Sequence, residues 1–420
     1  MPHRIVINTW GSFGDVYPYI DLGLALRARG HDAVLAMPAY YRATVEREGL
    51  GFHAVGPDLD PTDRETVRRI MDPRTGTEFI IKQLILRGLR QSYEDLRAAT
   101  AAADLLVTHP ITFAGPILAQ REGLPWVSTV LAPMSFFSRH DLPVFPPMPW
   151  AKKLERVPGM ARALVALARR VTRDWVEPVY DFRRQLGLER GGNPIYEGQH
   201  SPTLALGLFS SVLAEPQPDW PPRVRVTGAI PYNGPDAGGA LAPELEAFLA
   251  AGPPPVVFTL GTSAVGAAGD FYAQSVDALR RVGARGVLLV GSHPENLPPE
   301  LPEGVMAIPF APHAALFPRA SAIVHQGGAG TLHQGLLSGR PTLVVPFAHD
   351  QPDNAWRVER LGVSRSLQLR RYTGRRVAEE LRALLEEPRY RQRAEAVALT
   401  VRAEGGAEAA AEEIVRNFEC

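Results

Sequence analysis

The chain has 420 residues, more than one ordinary core needs and enough for two domains. Its 45 basic and 45 acidic residues balance. That argues against a nucleic-acid partner and against a purely electrostatic hold on an anionic membrane.

The one cysteine, Cys420, excludes an internal disulfide or cysteine metal cluster, so a reducing cytoplasm is expected. No apolar run reaches the ~18 residues needed to span a bilayer. Met1-Pro2-His3-Arg4 leads straight into a strand, and no secretory leader is expected.

Arg4–Thr9 reads as a buried strand, and Trp10-Gly11-Ser12-Phe13-Gly14-Asp15 as a glycine-bearing turn. Pro18–Arg29 has helical spacing and stops at Gly30. Strand Ala33–Met37, helix Tyr40–Glu48 and strand Phe52–Val55 follow. This alternation predicts a parallel sheet with helices on both faces. A dinucleotide enzyme would show G-x-G-x-x-G after the first strand and an acid ending the second. Here the turn is GSFGD and the second strand ends Ala36-Met37-Pro38. Asp58-Leu59-Asp60 has a metal-ligand spacing, but between Pro57 and Pro61 it reads as a solvated turn.

Thr77–Ala103 reads as one long helix with core-type apolar residues. Strand Leu105–Thr108 ends in His109-Pro110, and helix Ala114–Glu122 and strand Trp126–Leu131 come next. Ala132 to Trp150 is a long proline- and aromatic-rich excursion, read as part of an apolar acceptor pocket, with a rigid surface loop as the alternative. Ala161–Arg173 is a basic helix whose charges read as a solvated face in preference to a lipid contact. Trp175–Gly187 is helical again, and Leu204–Phe209 is the last strand expected in the first half. Ala229–Pro243, rich in Gly, Pro and Asp, reads as the interdomain linker.

A second series begins at strand Pro255–Thr259, which ends in Leu260-Gly261-Thr262-Ser263. Helix Asp270–Val282 and strands Gly286–Val290 and Val305–Ile308 lead to Phe310-Ala311-Pro312-His313. Strand Ala322–Val324 runs through His325-Gln326 into Gly327-Gly328-Ala329-Gly330, and a helix runs from Thr331 to Gly339. Strand Thr342–Val345 ends towards His349-Asp350-Gln351. The glycine turn is built to hold an anion, because backbone N–H groups can approach a ligand where no Cβ intervenes. The helix that follows adds unpaired N–H groups and a partial positive charge. Gly374–Glu387, Arg389–Ala403 and Ala407–Phe418 close the chain as helices.

The residues Phe310 to His313, His325 to Thr331, His349-Asp350-Gln351 and Asn354 together resemble the nucleotide-sugar signature of GT-B glycosyltransferases of the UDP-glycosyltransferase superfamily. The resemblance is closest to the bacterial branch that glycosylates lipids, sterols and antibiotic aglycones. Gly269-Asp270-Phe271-Tyr272 and Pro216–Pro221 are similar to the rhamnolipid-type rhamnosyltransferase group.

The resemblance implies an α/β, GT-B fold, two Rossmann-like doubly wound parallel-sheet domains facing across a cleft. It places an acceptor domain over 1–228, the linker over 229–243, a donor domain over 244–404, and a helix over 405–420 that crosses back. The reaction implied is metal-independent, inverting transfer of rhamnose or glucose from a UDP- or dTDP-sugar to a hydroxyl of a small hydrophobic acceptor. No cofactor is implied beyond that co-substrate.

Asp15 is the implied base, with helix capping as the alternative role, and Asp350 is a second possible base. Donor contacts fall on Gly14, Thr262, Ser263, Phe310, Ala311, His313, His325, Gly327, Gly328, Ala329, Gly330, Thr331, Asp350 and Gln351. Of these, His325 would assist the leaving diphosphate, and Asp350 and Gln351 would clamp the sugar. Acceptor contacts fall on Trp10, Phe13, Phe79, Phe136 and Phe137. A cytoplasmic enzyme follows, with at most a peripheral contact at the inner membrane face. A nucleotide-sugar 2-epimerase and a non-catalytic nucleotide-sugar-binding subunit stay open as alternatives.

Overall fold

The computed structural model describes residues 2–58, 60, 63–232, 234 and 239–418. Leu59 of the D-x-D spacing, Cys420 and five residues of the 229–243 stretch lie outside the described residues.

The first sheet comprises β1 (Arg4–Asn8), β2 (Asp32–Met37), β3 (Gly51–Ala54), β4 (Leu105–Thr108), β5 (Trp126–Val130), β6 (Ala205–Gly207) and β7 (Val224–Val226). Its order is β3-β2-β1-β4-β5-β6-β7, with every neighbouring pair parallel. The second comprises β8 (Val256–Thr259), β9 (Gly286–Leu289), β10 (Val305–Ile308), β11 (Ala322–His325), β12 (Thr342–Val344) and β13 (Ser364–Ser366). Its order is β10-β9-β8-β11-β12-β13, also all parallel.

The central strands are largely apolar because helices cover both faces, and their few polar residues, such as Thr108, Ser128, Thr129 and Thr259, are buried as well. β4, β5, β8 and β11 are buried at every position.

In each sheet the strand order reverses once, between β1 and β4 in the first and between β8 and β11 in the second. The helices after two such adjacent strands run to opposite faces, which opens a crevice at the carboxyl ends. Asp15 and His109 follow β1 and β4. Thr262 follows β8, and the glycine turn follows β11.

Several elements differ from the sequence expectation. β6 is not the last strand of the first half: β7 lies beyond it, and β13 was not foreseen. Each is only three residues long, too short for a period to show. The helical stretch from Thr77 is broken into Gly76–Phe79, a π-helical turn at Ile80–Ile85, and Leu89–Ala99. The first helix starts at Phe13 and carries Pro18 inside it. Helices Arg64–Ile70, Pro243–Ala250 and Gln351–Arg360 also form where none was expected.

The chain divides into two compact units. The first holds Met1–Asp60, Arg74–Ile230 and Glu404–Cys420, and the second holds Pro61–Pro73 and Pro231–Ala403. Helix Gly406–Phe418 packs on helix Phe13–Ala28 in the first unit, where Arg29 pairs with Glu408. Glu404, at the start of that return, accepts hydrogen bonds from Ser210, Ser211 and the Ala229 N–H.

Helix Arg64–Ile70 belongs with the second unit. Arg64 pairs with Glu295 and donates to the Gly266 carbonyl, while Val67 packs on Gly266. The second unit's core gathers Leu241, Leu245 and Leu249 against Val257, Val287, Phe317 and Ile323.

Candidate active site

The loop after β1 is shaped around a carboxylate. Asp15 is the third residue of helix Phe13–Ala28, and its Oδ2 accepts from the Ser12 N–H (2.8 Å) and hydroxyl (3.0 Å). The capping role is therefore real, and it occupies one oxygen. Gly11 has φ of 137°, and a Cβ there would stand 2.4 Å from Asp15 Oδ2, so only glycine leaves room for the carboxylate.

Asp15 Oδ1 lies 3.9 Å from Nε2 of His109, at the end of β4. Desolvation raises the Asp15 pKa above the ordinary carboxylate value, against the opposing pull of the Ser12 hydrogen bonds. Burial holds His109 down at about 3, so the ring is neutral at pH 7. It stands edge-on to Tyr19, and its Nδ1 has no hydrogen-bond partner among the described residues. The 3.9 Å gap is too wide for a direct hydrogen bond, but one hydroxyl oxygen between the two groups can reach both.

A small recess is linked to this pair through two of its lining residues: Thr9 donates to the Asp15 carbonyl and Thr112 to the His109 carbonyl. Trp10, Ile85, Leu89, Ile111 and Phe113 wall it, with Asn8, Thr9, Ser92 and Thr112 supplying polar atoms. Trp10 is fixed by its indole N–H, which donates to the Pro57 carbonyl at 2.7 Å. Of the five expected acceptor residues only Trp10 lines it. Phe13 packs with Tyr17, Tyr40 and Tyr41. Phe79 is half-buried at the end of its short helix. Phe136 is a core residue, stacked on Trp220 with centroids 4.2 Å apart. Phe137 sits in the left-handed region (φ 48°) with its ring edge-on to Tyr196. The excursion after β5 is instead pinned to the 216–222 stretch, where Asp219 accepts from the Ser138 hydroxyl and the Arg139 N–H.

In the second unit β11 ends in His325, and helix Ala329–Ser338 starts two residues after Gly327. Gly327 has φ of 92°, and a Cβ would come within 2.7 Å of Val344, so the tight turn requires glycine. Gly328, Ala329 and Gly330 are only half-buried. They present the N-terminal helix N–H groups, which have no acceptor within the helix. Gly261, beside Thr262 and Ser263, packs against Gln326 and Thr331, so the loops after β8 and β11 form one surface. Thr262 is exposed and Ser263 half-buried there.

Two expected ligands have other work. His325 is buried and its Nδ1 accepts the Gly327 N–H at 3.1 Å, so its ring shapes the glycine turn from beneath. Burial first, then the His313 charge, depress its pKa to about 3 and keep it uncharged. Gln351 is buried as well, and its Oε1 accepts the Phe347 and Ala348 N–H groups.

Asp350 remains half-buried, with Oδ2 accepting from Asn354 at 2.7 Å. Asn354 also donates to the Gly327 carbonyl at 2.9 Å, so one amide ties the glycine turn to Asp350. The residue before Asp350, His349, has φ of 56°, an uncommon non-glycine conformation that turns the chain at this point.

Phe310 is 56% exposed, Ala311 is buried, and His313 stacks on Phe317 at 4.3 Å. Among the described residues no group of three or more His, Cys, Asp and Glu is arranged to hold a metal ion. The sequence by itself assigns no role to His109 or Asn354. His109 was visible only as the residue ending a strand, and Asn354 only as part of a signature.

Residues 273–420 match the family described as Erythromycin biosynthesis protein CIII-like, C-terminal domain. The chain is 32% identical to O-mycaminosyltylonolide 6-deoxyallosyltransferase of Streptomyces fradiae, over 96% of this chain and 95% of that one. Among solved structures it is similar to the glycosyltransferase SnogD from Streptomyces nogalater (TM-score 0.69, 24% identity, all of both chains). It is also similar to the spinosyn rhamnosyltransferase SpnG complexed with thymidine diphosphate (TM-score 0.69, 20% identity, all of both chains).

Proposed function

The chain belongs to the antibiotic-type family 1 glycosyltransferases, enzymes of GT-B fold that transfer sugars, and on that premise we propose a specific reaction. The enzyme moves a hexose, rhamnose or glucose, from a UDP- or dTDP-sugar to a hydroxyl of a small hydrophobic natural product. The observation that carries this reading is the placement of two chemically different sites, each at the switch point of its own sheet. One is a carboxylate beside an apolar recess, the other an anion-binding turn.

The acceptor hydroxyl would sit between Asp15 Oδ1 and His109 Nε2. Asp15 takes its proton, and the oxygen attacks the anomeric carbon. The bond from that carbon to the diphosphate oxygen breaks on the opposite side, so the configuration inverts. The departing electron pair ends on the diphosphate, which the N–H groups of Gly328, Ala329 and Gly330 and the hydroxyls of Thr262 and Ser263 stabilise. His109, neutral, orients Asp15 and the hydroxyl and is a positioning residue. Asp350 accepts sugar hydroxyls, while Asn354, Gln351 and His325 hold the loops that present it. The helix dipole takes the developing charge, so no metal is needed.

The thymidine diphosphate bound to SpnG favours testing dTDP-sugars first. No helix among the described residues is long and apolar enough to cross a membrane, and any bilayer contact would be peripheral.

The test is a thermal-shift panel of UDP-glucose, dTDP-rhamnose, UDP and dTDP in excess EDTA. A donor at about a hundred times its Kd should stabilise the protein by roughly 2.7 kcal/mol. Silence from all four would remove the nucleotide-sugar reading. A response restored only by Mg²⁺ would remove the metal-free account. Donor binding without transfer or hydrolysis would point to a binding subunit.

A further inference from the structure

The segment from Pro149 to Arg173 forms a 3-10 stretch, Pro149–Arg156, and a helix, Met160–Val171. It has a small core of its own, in which Leu142, Ala151 and Leu164 are buried among partly covered apolar neighbours. Lys152 is sunk into that core and neutralised by Asp141 (3.2 Å) and Glu155 (2.8 Å).

The outer face of the segment is unusual in both apolar area and charge. Five large apolar side chains of the first unit are exposed among the described residues, and four of them are here: Trp150, Val157, Leu167 and Val171. Leu167 and Val171 share one stripe with Ala163 at helical i, i+4 spacing. The adjacent stripe carries Arg162 and Arg170, and Lys153, Arg156 and Arg173 are exposed nearby. Arg169 is committed to Glu197 at 2.7 Å. No acidic partner is found for the other five cations among the described residues, although Asp174 follows directly in sequence. The whole chain is electrically neutral, so this concentration of charge is local.

We propose that the outer face of 149–173 is a peripheral docking surface for anionic lipid headgroups. Apolar side chains and a tryptophan enter the acyl boundary while arginines and lysine meet the phosphates. Charge complementarity selects this occupant. A protein partner or a second copy would need matching acids, and a neutral bilayer would leave the five cations unpaired.

The experiment is cosedimentation of the full chain with vesicles of phosphatidylcholine alone, and with roughly one part phosphatidylglycerol to three of phosphatidylcholine. Binding to the anionic vesicles should exceed binding to the neutral ones by about tenfold, and ~0.5 M salt should weaken it. Leu167→Glu with Val171→Glu, and separately Arg162→Glu with Arg170→Glu, should each reduce binding about fivefold or more at unchanged Tm. Trp150→Ser provides a third variant away from the helix. Equal binding to both vesicles, absence of binding, or binding unaltered in the variants would overturn the proposal. So would self-association in ultracentrifugation that Leu167→Glu with Val171→Glu abolishes, since the face would then belong to a second copy.

Discussion

Asp15 divides its two oxygens between two tasks, and the division is set by geometry. Oδ2 closes the capping box with Ser12, and Oδ1 faces His109. Asp15→Asn keeps the shape and removes the proton acceptor. It should lower kcat by at least ~10² and leave donor affinity nearly unchanged in a tight-binding assay. Near-wild-type turnover would take Asp15 out of the chemistry.

As the proposed base, Asp15 must be ionised to act, and desolvation raises its pKa, so kcat should rise with pH through a value above the usual carboxylate range. His109→Leu removes a neutral dipole that favours the charged carboxylate. Its expected signature is a loss of about tenfold in kcat together with an acid limb moved to higher pH. A merely structural histidine would lower the active fraction and leave the limb in place.

At the level of elements, the proposed donor site is three loops at the carboxyl end of one sheet, after β8, β11 and β12. Their mutual position depends on short-range ties: Gly261 against Gln326 and Thr331, and Asn354 bridging Gly327 and Asp350. Asn354→Ala leaves the buried Gly327 carbonyl without this donor, a cost of about 1–3 kcal/mol. The variant should unfold at lower denaturant and show a raised donor KM with kcat less affected. An unchanged donor KM would mean that the glycine turn keeps its shape without the amide. The recess in the first unit is built in the same way, from Trp10 after β1, Ile85 at the end of the π-helical turn, Leu89 at the start of the next helix, and Phe113 after β4. A single π turn re-aims side chains that a regular helix would place elsewhere.

For the molecule as a whole, buried neutral histidines contribute to the response to acid. His109, His325 and His333 are all buried, with pKa values held near 3, 3 and 4 by desolvation. Between those values and 6.5 each of these three sites binds more protons in the unfolded chain than in the folded one, while Asp21, raised to about 6 by burial, opposes them. Stability therefore rises with pH through that window and is lost as pH falls below 6.5. Each such histidine contributes a slope of about 1.4 kcal/mol per pH unit. Urea midpoints should drop steeply between about pH 6.5 and 5. His333→Gln should reduce the slope by close to one proton. A flat profile would show that these rings are protonated in the folded state.

Sequence alone determined the class of the molecule. The alternation of apolar strands and helices is a local, periodic signal, and it carried two doubly wound parallel sheets. Gly327 to Gly330 opening a helix is likewise a local device, and its anion-binding character follows from backbone chemistry. What only the tertiary structure decided depends on distance between residues far apart in the chain. His109 stands opposite Asp15 because β4 lies beside β1. Phe136 is core and not pocket because Trp220 stacks on it. His325 and Gln351 face inward because backbone N–H groups of the same loops need acceptors. A residue type and its neighbours in sequence state what a side chain can do. Which partner satisfies it is settled only when the sheet order brings the candidates together, since burial requires each polar group to be paired.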